Sequence, residues 1–222
     1  WSVILAFMVM PLTVQYRPRH LPGDFQSLFN GTDLHHWIIP EGDNGHWRVA
    51  GGVIDYDAKS EAEGDKNLWS KNPRVPIVLP SGLHKRNENG EVIRIVVPDS
   101  DSGIFLRGSS KSQVNIWCWP VGSGEVYGYR MDESMPAEVR RGVTPLTHAD
   151  HHIGEWNTFR IKVKGNRLTV DLNGTRVIEE AELPGLPERG PIALQHHGNK
   201  VDGQWQSPPS LVQFKNIFIK EL

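Results

Sequence analysis

Between Trp156 and Ile178 apolar and polar residues alternate along the chain. Arg160 and Lys162 separate Phe159, Ile161 and Val163, and Leu168, Val170 and Leu172 alternate with polar residues in the next run. A period of two gives a strand one dry face and one wet face. Gly165-Asn166 and Asn173-Gly174 interrupt the pattern with turn-forming pairs, so the segment predicts a β-meander. The C-terminal "LVQFKNIFIKEL" predicts another strand, with a bulge near Asn216, and "EVIRIVV" places Ile93, Ile95 and Val97 on one face. No stretch sustains a helical period, and a short turn of helix is expected near Pro136–Arg141. Many short strands joined by Gly- and Pro-rich links predict an all-β fold, a two-sheet antiparallel sandwich of jelly-roll type.

One pair of predicted strands carries unusual side chains. In "QVNIWCW" Val114, Ile116 and Cys118 point one way, and Gln113, Asn115, Trp117 and Trp119 point the other. In "GIFLRG" Ile104 and Leu106 share one face while Phe105 and Arg107 share the opposite one. Read as a strand, "EVYGYR" aligns Glu125, Tyr127 and Tyr129. Aromatic rings cover the C–H faces of a pyranose, and amides or a guanidinium pair with its hydroxyls. The pattern therefore fits a sugar site. A sheet face covered by a loop, its polar groups satisfied locally, would show the same alternation.

Composition narrows the partners. The 222 residues carry a net charge of −2 with no basic block, so nucleic acid is not an expected partner. With 22 glycines and 16 prolines the chain suits a turn-rich β-domain. Cys118 is the only cysteine, which excludes a disulfide within the chain, and its place between two tryptophans reads as a buried structural thiol. The apolar stretch within residues 1–23, "WSVILAFMVMPLTVQ", is shorter than the roughly 20 residues of a membrane span. It reads as the apolar core of a signal peptide or as a leading strand, and the expectation is export to the periplasm or the outside, with no stable membrane span. Residues 24–222 are read as one domain.

Six segments then occur in order: "FQSLFNGTDLHHW", "HWRVAGGVI", "DSGIFLRG", "GEWNTFRIKVKGNRLTVDLNG", "GPIALQHHG" and "VQFKNIFIKEL". Together they resemble the 3-keto-disaccharide hydrolase domain family (DUF1080) from Phe25 to the end of the chain. The resemblance implies a concanavalin A-like or laminin G-like jelly roll, export by polysaccharide-degrading bacteria, and cleavage of 3-keto-glycosides by hydrolysis or by elimination and hydration. It also favours His197 over His196, because the matching family segment reads Leu-Gln-x-His-Gly. One departure stands out. Family members carry an apolar–acidic strand after the segment matching "NLWS", and here Asn67–Ser70 runs almost directly into "KNPRVPIVLPSG".

The residues must also suit the chemistry. A retaining glycosidase needs two carboxylates about 5–5.5 Å apart. The Glu-x-Asp-x-x-Glu spacing of jelly-roll glucanases is absent, and Glu179, Glu180 and Glu182 read as a solvated acidic run. A 3-keto sugar is different, because the ketone acidifies the proton at C2 and the group on C1 can leave by elimination. That needs a base, a partner for the enolate oxygen and an acid. The catalytic candidates are His197, Arg107, Glu125 and Asp101; the binding candidates are Gln113, Asn115, Trp117, Trp119, Tyr127, Tyr129, Gln195 and His196. If they lie in a strand, alternation puts His196 and His197 on opposite faces, so only one is expected in the site.

No cofactor is demanded. In "THADHH" His148, Asp150, His151 and His152 could ligate a transition metal, though the spacing matches no standard site, and loop carboxylates could hold Ca²⁺. Two other functional classes share the aromatic–amide face. One is a non-catalytic, lectin-like carbohydrate-binding module; the other is a structural domain whose site face is plugged by a neighbouring chain.

Overall fold

The computed structural model describes residues 25–72, 81–85, 101–152, 154–198, 200–205 and 212–220. In chain order the first strands are β1 (Gln26–Ser27), β2 (Trp37–Ile38), β3 (Trp47–Ala50), β4 (Val53–Tyr56), β5 (Leu68–Ser70) and β6 (Ser81–Lys85). The long hairpin β7 (Asp101–Leu106) and β8 (Ser109–Trp117) follows, and then two short helices, α1 (Tyr127–Arg130) and α2 (Ala137–Gly142). The last strands are β9 (Asn157–Lys164), β10 (Arg167–Leu172), β11 (Thr175–Glu182), β12 (Ala193–Leu194), β13 (Lys200–Val201), β14 (Gln204–Trp205), β15 (Val212–Lys215) and β16 (Phe218–Ile219).

Two antiparallel sheets make the sandwich. One is seven-stranded in the order β11-β10-β9-β6-β15-β4-β3; the other is five-stranded in the order β2-β5-β12-β7-β8. The fold is the expected all-β jelly roll. The meander is β9–β11, with Phe159 opposite Leu172 and Ile161 opposite Val170. Its second turn has Asn173 at φ 53° and Gly174 at φ 80°, the paired positive φ values of the type I′ hairpin that Asn-Gly favours. The short link after Ser70 does not leave a gap in the sheet, because β6 fills the slot between β9 and β15. The helical turn expected near Pro136–Arg141 is α2. At Asn216, φ is 54°; there the chain leaves β15 and passes to β16, which pairs with β1. The expected strand in "EVIRIVV" and the N-terminal apolar segment lie outside the described residues. Among the described residues no helix is long and apolar enough to cross a membrane.

Alternation explains the core. Ile104, Leu106, Val114 and Ile116 of the five-stranded sheet join Phe159, Ile161, Val170 and Phe214 of the seven-stranded sheet in one buried cluster. Phe159 and Phe214 are fully enclosed, and truncating such a ring to alanine costs about 3–5 kcal/mol. The strands of the β7–β8 hairpin are buried on both faces. The face away from this core is where the site forms.

One expected strand is not a strand. "EVYGYR" pairs with β8 only briefly: Asn115 N–H donates to Glu125 C=O and Gly124 N–H to Asn115 C=O. Gly122 and Gly124 take φ of 87° and 101°, and the chain then winds into α1. Residues two apart point to different sides of a helix, so Tyr127 and Tyr129 do not align. Tyr127 is exposed beside the pocket, whereas Tyr129 is buried and donates its hydroxyl to Pro184 C=O at 3.0 Å.

Candidate functional site

Strand register builds the floor of the site in rows. Across β7 and β8, Phe105 faces Gln113, Gly103 faces Asn115, and Asp101 faces Trp117. The chain after β12 extends the rows, because Gln195 N–H donates to Gly103 C=O at 2.8 Å. The middle row has no side chain at Gly103. Gln113 leans into that space and donates from Nε2 to Gln195 Oε1 at 2.5 Å. A methyl group at Gly103 would lie 2.4 Å from Gln113 Nε2, so the glycine is what lets the amide pair lie across the floor.

A pocket of about 530 Å³ opens above these rows, a size that suits a small ligand. It is lined by Asp101, Gln113, Asn115, Trp117, Trp119, Tyr127, Arg130, Gln195 and His197. Asn115 is 2% exposed, and its Oδ1 has no hydrogen-bond partner. A buried, unpaired acceptor at the edge of a pocket is a place for a ligand's donor. Trp117 is nearly buried and donates from Nε1 to Gly122 C=O at 2.8 Å. Trp119 and Tyr127 both meet its ring edge-on, at 6.2 and 5.9 Å between centroids.

The cation of the pocket is Arg130, one helical turn beyond Tyr127 on α1. Its Nε donates to the fully buried carboxylate of Glu125, whose Oε2 has no partner. Burial, and then the Arg140 guanidinium, pull Arg130 below the ordinary arginine value. Sequence reasoning missed Arg130 because it missed the helix. The spacing of Tyr127 and Arg130 was the available signal, and Gly124 was the hint that the strand ends.

His197 and Asp101 share the last row. His197 Nδ1 lies 3.5 Å from Asp101 Oδ2, with the imidazole about one-third exposed to the pocket. The two histidines divide, although β12 ends at Leu194 and strand alternation does not reach them. His196 faces the other way, where it accepts the Tyr56 hydroxyl at Nδ1 and donates from Nε2 to Gly198 C=O at 2.6 Å. Those bonds fix the neutral tautomer. Burial first, then Lys66 and His197, hold its pKa below the ordinary histidine value, against the pull of the Gly198 bond and Asp43.

Several candidates fall elsewhere. Arg107 does not line the pocket; it sits in the β7–β8 turn at φ 51° and donates from Nη1 to Gly165 C=O at 2.6 Å and Pro187 C=O at 3.1 Å. The strand ends at Leu106, so the alternation that put Arg107 beside Phe105 no longer applies to it. Glu125 stands behind Arg130 rather than in the lining, Tyr129 is core, and His196 braces the loop from outside. Cys118, just past the end of β8, is half-buried rather than buried.

Of the "THADHH" candidates one pair meets, His148 Nε2 lying 3.6 Å from Asp150 Oδ2. Asp150 accepts Ser123 N–H at 2.9 Å, His151 Nδ1 donates to Trp156 C=O at 3.0 Å, and His152 N–H is bound by Glu155. Among the described residues no group of three or more His, Cys, Asp or Glu side chains is placed to hold a metal ion.

Residues 24–220 match the model of the 3-keto-alpha-glucoside-1,2-lyase-like domain family. The chain belongs to this family. Solved structures agree on the fold. A protein of Parabacteroides distasonis ATCC 8503 with a provisional glycosyl hydrolase assignment superposes with a TM-score of 0.64 at 23% identity, over 90% of this chain and 85% of that one. A second such protein from the same organism gives a TM-score of 0.59 at 20% identity, over 89% of this chain and 99% of that one. A curated sequence from Streptomyces ambofaciens, named MutT-like protein, is 28% identical over 102 residues, which is 44% of this chain and 66% of that protein.

Proposed function

We propose that this family member is a carbohydrate-active enzyme that cleaves 3-keto-glycosides by elimination at C1–C2. The observation that carries this is the make-up of the pocket lining. Among the described residues it holds one carboxylate, Asp101, one imidazole, His197, and one guanidinium, Arg130. Direct displacement at C1 needs a second carboxylate across the scissile bond; Glu125 is committed to Arg130 behind the wall, and Asp150 lies outside the lining, where it accepts Ser123 N–H. A ketone at C3 removes that need, because it makes the C2 proton acidic enough for an imidazole base.

In this mechanism the sugar ring lies over Gly103. Gln113, Gln195 and the unpaired Asn115 Oδ1 bind its hydroxyls, and Trp117 covers a C–H face. Neutral His197 takes the C2 proton, and Asp101 steadies the imidazolium that results. Arg130 braces the enolate oxygen at C3 with a planar fork. The C1–O bond then breaks, the C1=C2 double bond forms, and the departing oxygen takes the proton from His197. Water added across the double bond gives the free 3-keto sugar, so hydrolysis is the net result.

Incubation with 3-keto-glucosides and their unoxidised parents, with and without chelator, tests the proposal. Turnover of the keto compounds alone is expected. Rapid cleavage of an unoxidised glucoside would restore an ordinary glycosidase mechanism. Sugar binding with no turnover of either would make the protein a binding module. His197→Ala is expected to lower kcat by a factor of about 10²–10⁴, the usual effect of losing a proton-transfer residue, with a smaller change in binding.

A further inference from the structure

The pocket has two chemically different ends. The amides Gln113, Asn115 and Gln195 cluster around Gly103. The row of His197, Asp101 and Trp117 comes next along the strands. Gln113 and Trp117 are four residues apart on β8, about 13 Å of strand. Beyond Trp117 stand Trp119, 46% exposed, and Tyr127, 45% exposed, and Met131 follows Tyr127 by one helical turn at 48% exposure. Half-exposed large apolar residues gathered beside a pocket mark a binding surface.

This surface is preformed. Trp117 is anchored through its own N–H, and Trp119 and Tyr127 pack edge-on against it at interplanar angles of 62° and 80°. A ligand laid on the two outer rings therefore meets side chains already held in place, with little ordering cost. The polar groups described at this end are committed elsewhere: Arg130 to Glu125 through Nε and, in the elimination, to the enolate oxygen, and Asp150 to Ser123 N–H, with His148 Nε2 3.6 Å away. A sugar stacked here would still need fixed partners for the hydroxyls around its rim. A flat apolar group would not.

We propose that Trp119 and Tyr127 form the leaving-group subsite, and that it selects 3-keto-glycosides of flat aromatic alcohols such as phenols. The inference rests on the elimination proposed above. The ring carrying the ketone lies over Gly103, C1 and C2 face His197, and the group on C1 projects past Trp117 onto Trp119. On cleavage the C1–O bond breaks, the phenol oxygen takes the proton that His197 removed from C2, and the sugar keeps a C1=C2 double bond.

The test compares phenyl, methyl and glucosyl 3-keto-glucosides on the wild type, Trp119→Ala and Trp119→Phe. For each substrate kcat/KM is expressed relative to the wild type, so intrinsic leaving-group reactivity cancels. Trp119→Ala is expected to lower the phenyl value by roughly three- to tenfold and to leave the methyl and glucosyl values within about twofold, with Trp119→Phe close to wild type on all three. Equal losses on all substrates, no loss on phenyl, or a loss on the glucosyl substrate as large as on phenyl would overturn the assignment. Calorimetry with unoxidised phenyl and methyl glucosides tests the subsite without turnover: phenyl is expected to bind tighter, and Trp119→Ala to abolish the difference. If the wild type leaves every keto substrate intact yet keeps the phenyl preference, the elimination fails and the subsite stands. If the phenyl preference is absent, the subsite fails whatever the turnover.

Discussion

A single missing side chain organises the floor of the pocket. Gly103 lies between Gln195 and Asn115, and the Gln113 amide occupies the volume that a Cβ would take. Because the clash is with a flexible side chain, Gly103→Ala should fold, with Gln113 displaced from Gln195. We expect a loss of about 1–3 kcal/mol in stability from overpacking, and sugar binding weaker by roughly two- to tenfold from the broken amide pair. Melting curves and calorimetric titration with a glucoside measure the two effects separately; unchanged affinity would remove Gln113 from the site. Arg130 offers a second residue-scale test. Arg130→Lys keeps the charge but loses the planar fork, and turnover should fall on the order of 10²-fold. Arg107→Lys, in the turn outside the pocket, should leave turnover unchanged. The reverse ranking would return the enolate role to Arg107.

At the scale of elements, α1 delivers Tyr127 and Arg130, and its position depends on close contact with β8. Gly128 sits over the main chain of Lys111, where a Cβ would come within 2.4 Å of the carbonyl oxygen and 3.0 Å of Cα. Backbone cannot move aside as a side-chain tip can. Gly128→Ala should therefore lift the helix, cost at least about 1–3 kcal/mol, and reduce turnover beyond what the stability loss explains. Thermal melts, with kinetics at a temperature where the variant is fully folded, provide the check; normal kinetics would show that α1 does not position the site. Lys111 and Asp132 hold the same helix from its C-terminal side, with Nζ–Oδ2 at 2.5 Å.

At the scale of the molecule, His196 ties the pocket strand to the seven-stranded sheet through Tyr56, which stacks on Trp47. Its pKa is lowered in the fold, so the unfolded chain takes up a proton at higher pH than the folded one does. Its contribution to stability is thus complete above the ordinary histidine pKa of about 6.5 and is lost as pH falls through that value toward the lower folded pKa. Wild-type stability should decline on acidification across this window, and His196→Gln should flatten the decline while losing stability at neutral pH. Denaturant melts at a series of pH values give both curves; parallel curves would show that other groups carry the whole pH dependence.

The alternation of Phe159, Ile161 and Val163 decided a strand, and the Asn173-Gly174 pair decided its turn, because period and turn chemistry are local properties of the chain. For the same reason Gln113, Asn115 and Trp117 were legible as one face. Parity failed where the strands ended. Arg107 lies one residue past Leu106, and Tyr129 lies in a helix set up by Gly122, Gly124 and a single pairing with Asn115. No local pattern reports a contact between residues far apart in sequence. The pairing of Gln113 with Gln195, the approach of His197 to Asp101, and the burial of Glu125 behind Arg130 all depend on which strands the sheets place side by side. The sequence by itself determined the β-sandwich and the side chains of one pocket face. Only the tertiary structure decided which cation enters the pocket and which of the expected residues serve instead to hold the fold.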